Sequence, residues 1–352
     1  MRVHFYTKYA RKGASSRYRT YQYQDRFREA GLETKIFPLF SDLYLETLYT
    51  PGAPKIPAHV LYRRRWEDMQ GTGNCDLAVV EKELLPYLPS AFEKKPFRRA
   101  RKLLLDFDDA IYLKYRSLDS LLPRLLLRHK IDRLMEWSDG AIGGNRALVE
   151  YAALHAPRTW TVPTTVEVSK YSAHDHDHEG LVTIGWIGTP MTVHYLREVR
   201  DALQSVAREI SLRFVVIGAP APGWEGVEAR SQPWSEEREA ELVRWLDVGL
   251  MPLPDAPWER CKCGLKILQY MAAEVVPVAS DVGTNRDIVE DGVDGFLCKT
   301  PADWAGRILD LSQDPELRAR MGKAARKKVE ERYSRDDWAG KLIDIYREVA
   351  GK

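Results

Sequence analysis

Two lysines four positions apart, with a glycine between them, carry the sharpest chemical signal in this sequence of 352 residues. Lys262 and Lys266 flank Gly264 inside the stretch from Asp247 to Phe296, where a loop gives way to a helical pattern. Two ammonium groups beside a helix N-terminus suit a diphosphate, because the terminal N–H groups and the helix dipole also favour an anion there. Gln269 follows one turn deeper on the same side. The same pattern also fits an amphipathic helix whose lysines are merely solvated.

A second cluster is LLLDFDDAIY, residues 103–112. Three carboxylates crowd the end of an apolar run. Like charges at that spacing raise one another's pKa, so at least one must be paired or functional. Asp108 or Asp109 is the candidate for binding sugar hydroxyls, and Asp106 reads equally as a structural acceptor. Carboxylates alone are weak grounds for a magnesium site, and none is expected. In KYARKGASSRYR, residues 8–19, Gly13, Ala14 and Ser15 are small enough for close backbone approach. Arg17 or Arg19 is then an anion or sugar contact, against the alternative of a solvated basic loop. In VTIGWIGTPMT, Gly188 and Thr189 close an apolar run and offer phosphate donors, unless this is an ordinary strand-to-helix turn.

Other features weigh less. His174, His176 and His178 alternate with aspartates, but they fall in an inferred linker, so solvation is the expectation. Cys261 and Cys263 do not have zinc-site spacing. Lys94–Lys102 (KKPFRRARK) holds six basic residues in nine plus Phe97. That composition suits an anionic lipid surface or an anionic acceptor carrier, or else a solvated helix face. No G-x-G-x-x-G occurs, so a dinucleotide site is unsupported. No nucleic-acid recognition module is visible, and no nucleic-acid partner is expected.

Short apolar runs without alternation must position these groups. Val3–Tyr6, Leu32–Phe37, Leu77–Glu81, Leu103–Phe107 and Gly140–Gly143 read as strands buried on both faces. A polar loop over Thr7–Arg17 and helices over Arg19–Ala30, Ser120–Glu136 and Ala147–Ala153 separate them. The pattern repeats with strands at Val182–Trp186, Leu212–Ile217, Val248–Leu253 and Val275–Ala279. Helices follow at Val193–Arg208, Lys266–Ala273, Pro315–Glu331 and Asp336–Val349. Alternation of this kind predicts parallel α/β sheets with ligands beyond the carboxyl ends of the strands.

Composition agrees. Hydrophobic residues make up 44% and charged residues 30%, as in a folded globular chain, and the length suggests two domains. No apolar run is long enough to span a membrane, and the N-terminus lacks a signal-peptide core. Four cysteines without a disulfide framework suggest a reduced, cytoplasmic setting. The net charge of +2 hides an asymmetry. Residues 1–165 carry 28 basic and 19 acidic side chains (+9), whereas residues 166–352 carry 25 and 32 (−7). The join is expected near 165–180, giving domains over 1–168 and 180–330 and a terminal helical segment over 331–352.

The stretch KCGLKILQYMAAEVVPVASDVGTNRDIVEDGVDGF, with LDVGLMPLP before it, resembles glycosyltransferase family 4, whose members have the GT-B fold. GASSRYR, VVEKELLPY, LLLDFDDAIY, IGGNRALVEYA, VPTTVEVSKY and IGWIGTP support the resemblance, in order along most of the chain. It implies two Rossmann-like domains facing an interdomain cleft, with the last helix packing back on the first domain. The second domain would bind a nucleotide-diphosphate sugar, UDP- or GDP-linked, and the first an acceptor hydroxyl on a glycan, a lipid-linked carrier or a small molecule. Transfer would retain anomeric configuration, without metal or other cofactor, in polysaccharide or related biosynthesis. By this resemblance Asp108, Asp109, Lys262 and Lys266 form the catalytic set. Gly13, Arg17, Gly188, Thr189, Trp234, Gly264 and Gln269 join the lysines in holding the donor, with Gln269 on the ribose and Arg230–Trp234 near the base. The protein would be cytoplasmic, or peripheral at the inner membrane face through contact with anionic lipid.

One departure stands out. The family's two spaced glutamates fall on Cys261 and Gln269 here. A glutamine amide can still bond a ribose, but a cysteine cannot replace a carboxylate at the donor sugar; Glu259 is the nearby substitute. The departure motivates two rivals: a degenerate nucleotide-sugar sensor or scaffold and, more remotely, a sugar-nucleotide epimerase.

Overall fold

Six short runs, mostly of branched and aromatic residues, build one all-parallel sheet. They are β1 (Arg2–Tyr9), β2 (Glu33–Phe40), β3 (Leu77–Glu81), β4 (Leu103–Phe107), β5 (Gly140–Gly143) and β6 (Thr159–Thr161), in the order β2-β1-β3-β4-β5-β6. The computed structural model describes every residue except 51, 55, 71–73 and 175–180. Strands β3, β4 and β5 are buried along their whole length, because helices cover both faces of a parallel sheet. In register, Glu81 of β3 stands beside Asp106 of β4. Chain order reverses between β1 and β3, and that is where a doubly wound sheet opens a crevice at its carboxyl edge.

This first compact unit comprises residues 1–164 together with Cys261–Cys263 and Arg335–Lys352. Helix Arg335–Ala350 buries Leu342, Tyr346 and Val349 among Val3, Phe5, Phe27 and Leu104. Phe5 lies in ring contact with Phe27 and Tyr346. Arg335 pairs with Asp25 at 3.2 Å and Lys352 with Asp76 at 2.8 Å.

The second unit comprises residues 165–260 and 264–334. Its sheet is also all parallel: β7 (Val182–Ile187), β8 (Leu212–Ile217), β9 (Ala229–Gln232), β10 (Val248–Met251), β11 (Val276–Ser280) and β12 (Phe296–Cys298), in the order β12-β11-β10-β7-β8-β9. Here the reversal falls between β7 and β10. Tyr270 ties those two strands at their carboxyl ends: its hydroxyl accepts from Ile187 N and donates to Leu250 O, each at 3.1 Å. Ile184, Trp186, Phe214, Val216, Val248, Leu250, Ile308 and Met321 form its core.

Several boundaries differ from the sequence reading. The loop expected over Thr7–Arg17 is mostly ordered structure, since β1 runs to Tyr9 and a helix spans Ala14–Arg19. The single helix expected over Arg19–Ala30 breaks at Thr20, whose φ of −130° leaves the helical region, and resumes as a 3-10 turn and helix Gln24–Glu29. Ser120–Glu136 splits into Leu121–Leu127 and Lys130–Glu136, and Val193–Arg208 into a 3-10 stretch and helix Arg200–Glu209. The sequence reading has no counterpart for helices Asp42–Tyr49 and Ala58–Met69; the second interrupts its apolar pattern with the charged run Arg63–Arg65 and with Glu67 and Asp68.

Candidate functional site

At the reversal in the first sheet, charged side chains converge from four segments. β3 ends at Glu81 and is followed by Lys82, which adopts a left-handed backbone at φ 65°. Holding a non-glycine residue there costs about 1–3 kcal/mol, which the surroundings must offset. The offset is visible. Lys82 Nζ lies 2.7 Å from Asp108 Oδ1 and 3.0 Å from Asp109 Oδ2, and donates to Ser15 Oγ at 3.2 Å. Burial alone would lower the Lys82 pKa, but Asp108, Asp109 and Glu81 outweigh it and hold the ammonium charged.

Asp109 also receives Lys262 Nζ at 3.1 Å. Burial pushes its pKa up, yet the two lysines prevail and keep it well below the usual carboxylate range. Glu81 has the opposite balance: burial dominates and raises its pKa, although Ser15 donates to it at 2.8 Å, Ser16 at 2.5 Å and the Lys8 amide at 3.1 Å. Ser15 also hydrogen-bonds Asp108. Lys8, half-buried at the end of β1, is pushed down to about 8, first by burial and then by Lys82.

The other sequence candidates in this unit occupy varied positions. Asp106 forms a buried two-point pair with Arg19, whose Nη2 and Nε lie 2.6 and 3.0 Å from Asp106 Oδ1. Arg19 Nη1 reaches Val162 O at 2.6 Å. Arg19 is therefore a structural clamp rather than an anion contact, which corrects half of the expectation for that helix. Arg17 is buried, with its guanidinium 5.0 Å from the Tyr18 ring. Gly13 caps helix Ala14–Arg19, and a Cβ there would meet Tyr9 Cβ at 2.2 Å. Cys261 and Cys263 are thiols raised in pKa by burial; Cys263 Sγ donates to Asp108 O at 3.2 Å, and Asn145 Nδ2 donates to Cys261 O at 2.7 Å. None of the four cysteines forms a disulfide.

The second unit's reversal is built from small and neutral groups. Gly188 and Thr189 follow β7, and the Thr189 amide donates to Thr192 Oγ1 at 3.2 Å. Helix Leu265–Ala272 starts at Gly264, whose left-handed φ of 66° favours glycine; a Cβ there would also push against the tip of Ile288, with Cδ1 at 2.2 Å. Lys266 Nζ lies 5.3 Å above the Trp186 ring. Gln269 is buried on the same helix. Trp234 Nε1 donates to Glu239 at 2.8 Å, and Glu259 accepts from the Tyr195 hydroxyl at 2.6 Å. Lys262 thus groups with the first unit and Lys266 with the second, although they are four residues apart.

His174 is engaged inside the second unit, with Nδ1 2.6 Å from Arg244 O and Nε2 3.1 Å from Asp247 Oδ1. Residues 175–178 of the histidine-rich run lie outside the described residues. Among the described residues, no three His, Cys, Asp or Glu side chains are grouped to hold a metal ion. The sequence reading missed Ser15, Glu81 and Lys82 as members of the first cluster. The signal that finds them is the shared ending of VVE and LLLD, which places Glu81 beside Asp106 in parallel register.

Residues 259–328, which contain Lys262, Gly264, Lys266 and Gln269, match the family model described as glycosyl transferases group 1. Among curated proteins, EpsD of Bacillus subtilis (strain 168), named as a glycosyltransferase, is 38% identical over 108 residues, covering 30% of this chain and 27% of that protein. The D-inositol 3-phosphate glycosyltransferase of Streptomyces avermitilis is 33% identical over 148 residues, covering 42% and 28%. The matches therefore span only about a quarter of those relatives' length (27% and 28%). Solved structures align over nearly the whole chain. Anabaena HepE in complex with UDP and glucose aligns with TM-score 0.73 and 15% identity over 98% of this chain and 99% of that one. Sucrose-phosphate synthase of Thermosynechococcus elongatus aligns with TM-score 0.71 and 14% identity over 99% of both. At such identities the likeness establishes the fold: GT-B, with two Rossmann-like α/β domains.

Proposed function

We propose that this protein is a retaining glycosyltransferase of family 4 that moves a sugar from a nucleotide-diphosphate donor to an acceptor hydroxyl, a hexosyl group in the simplest case. The observation that carries the reading is the lysine-bearing segment itself. Lys262, Gly264, Lys266 and Gln269 lie in the part of the chain that matches the glycosyl transferases group 1 model, at the start of a helix opened by a left-handed glycine. Lys262 and Lys266 supply positive charge to the diphosphate, Gly188 and Thr189 add donors, Gln269 holds the ribose, and Trp234 sits near the base. Gly13 and Arg17 contribute from the first unit. Fixed cations aimed at the leaving diphosphate are the main catalytic device, because that is where negative charge grows.

In the transfer, the bond between the anomeric carbon and the phosphate oxygen breaks. The acceptor oxygen bonds to that carbon on the same face, and its proton passes to the departing phosphate. No protein base is required, and no metal is invoked. Asp108 and Asp109, already oriented by Lys82, bind sugar hydroxyls or orient the acceptor. UDP is the first nucleotide to test, since HepE is a complex with UDP and glucose; a GDP-linked donor is the other choice. The acceptor is a glycan, a lipid-linked carrier or a small molecule, and the site of action is the cytoplasm or its membrane face.

A thermal-shift panel of UDP-, GDP-, ADP- and dTDP-sugars tests the reading. The correct donor raises the unfolding temperature in proportion to RT ln(1 + [L]/Kd), and donor turnover then follows with added acceptors. A second reading rests on Cys261 standing where the family has a glutamate: its thiol is buried and 3.8 Å from the Tyr112 hydroxyl, with no carboxylate in its place. Donor binding without hydrolysis or transfer across the panel favours that sensor or scaffold.

A further inference from the structure

The first unit carries a surface that neither the sheet nor the site explains. Helix Leu121–Leu127 reads LLPRLLL. Pro123 is tolerated because it sits in the first turn, where its missing N–H has no helical partner. Only Leu127 is buried. Leu121, Leu122, Leu125 and Leu126 are 61%, 68%, 54% and 54% exposed. Single exposed leucines are ordinary, but four within six residues form a contiguous apolar patch, which globular surfaces rarely leave open without a partner.

The surroundings of the patch are basic. Arg124 and Arg128 lie on or beside this helix, and Arg133 is exposed on the next one, Lys130–Glu136. Helix Ala91–Arg99 adjoins that same helix: Glu93 pairs with the buried Lys130 at 2.8 Å, and Lys94 sits 5.4 Å from the Trp137 ring. It presents Lys95, Arg98 and Arg99 to solvent, with Phe92 exposed at its start. Its other aromatic residue, Phe97, is core, so the apolar component of the surface is the leucine helix rather than the basic run itself. Among the described residues Lys95, Arg98, Arg124, Arg128 and Arg133 have no ion-pair partner. Of the acidic side chains nearby, Glu93 is spent on Lys130 and Asp132 on Arg116 at 3.1 Å, while Asp119 and Glu136 are exposed and outnumbered by the five basic residues.

We propose that this face, centred on Leu121, Leu122, Leu125 and Leu126 and rimmed by the basic residues of helices Ala91–Arg99 and Leu121–Leu127, docks on an anionic lipid bilayer. The leucines enter the boundary between headgroups and acyl chains, and the arginines and lysines remain at the headgroup phosphates. A second copy of this chain is the weaker occupant. A twofold interface would set the basic rim against itself, and like charges facing each other oppose association. Such docking deepens the membrane-face setting of the proposed function by giving the lipid contact a location, and vesicle binding is read separately from sugar transfer.

The test is sedimentation of the full chain with vesicles of phosphatidylcholine, with and without phosphatidylglycerol. The wild type should pellet with the phosphatidylglycerol vesicles and release as salt rises. Leu122→Ser/Leu125→Ser should weaken partitioning about tenfold or more, since it removes the inserted chains, and Lys95→Glu/Arg98→Glu should do the same through charge. Both variants change exposed positions, so their unfolding temperature and nucleotide affinity should stay at the wild-type values; that separates failure here from failure of the transferase reading. Absence of binding to either vesicle overturns the proposal. So does binding that ignores the leucine substitutions, or a wild-type oligomer that Leu122→Ser/Leu125→Ser dissolves without any vesicle binding.

Discussion

The two sheets reverse order in the same way, yet their reversal points are built from opposite materials. Between β1 and β3, Glu81, Lys82, Asp108, Asp109 and Lys262 form a crowded and internally compensated set, backed by the Arg19–Asp106 pair. Between β7 and β10, the groups are Gly188, Thr189, Trp186 and a tyrosine bridge, with Lys266 above an aromatic ring. A region can hold many charges and have little net charge to offer a ligand. A nearly neutral one, with no carboxylate among these groups, can be the better place for a doubly charged phosphate, since like charges repel. Charge per half of the chain therefore misleads: the more basic half spends much of its charge on its own carboxylates.

The contrast breaks first, and most severely, at the clamp. Arg19→Ala leaves Asp106 buried without its partner and should cost about 3–5 kcal/mol in denaturant unfolding, whereas Lys266→Ala in the second unit should change stability by less than about 1 kcal/mol. Equal losses would mean the two regions are not built differently. Next comes backbone geometry in the second unit. Gly283 has φ 50°, and a Cβ there would sit 2.2 Å from Arg260 O. Gly283→Ala should cost about 2–3 kcal/mol. Gly306→Ala, inside helix Pro301–Gln313 with nothing within 4 Å, should instead stabilise by about 0.5–1 kcal/mol. Comparing the two melting curves checks both signs.

A smaller effect sharpens the electrostatic side. Lys8 titrates at about 8 in the folded protein rather than at its ordinary 10.5. Between those values the unfolded chain binds more protons than the folded one, so stability attributable to this group rises with pH across that window. Below it, the full cost of a half-buried ammonium remains. Lys8→Met should accordingly stabilise the protein by about 1–2 kcal/mol at pH 7, with the gain shrinking as pH climbs towards 10.5. A gain that is constant with pH would assign the effect to packing instead.

Much of this was legible in the sequence because it is local. Leu77–Glu81, Leu103–Phe107 and Gly140–Gly143 are strands with the expected limits, since apolar runs this short and without alternation suit strands covered on both faces better than helices. The carboxylate cluster and the glycine-opened helix at Leu265 were visible for the same reason. What stayed hidden depends on register and on distant partners. Lys82 meets Asp109 across 27 positions, and Arg19 meets Asp106 across 87. Nothing in KYARKGASSRYR distinguishes Arg17 from Arg19; both are buried, and only the fold selects which one clamps Asp106. The left-handed backbone at Lys82 is equally silent, because a lysine advertises no such preference. Within the helix expected over Ser120–Glu136, nothing marks the leucines that the structure leaves exposed, Leu121, Leu122, Leu125 and Leu126.

The central claim is that nucleotide recognition rests on Lys262 and Lys266, the two lysines around Gly264, rather than on Lys8 and Lys82 of the first unit. Isothermal titration with UDP and GDP at fixed ionic strength tests it in wild type, Lys262→Ala, Lys266→Ala and Lys95→Glu. The account predicts that each of the first two substitutions weakens diphosphate binding by about 1–3 kcal/mol, while the third leaves it unchanged. Wild-type affinity in both Lys262→Ala and Lys266→Ala would contradict it.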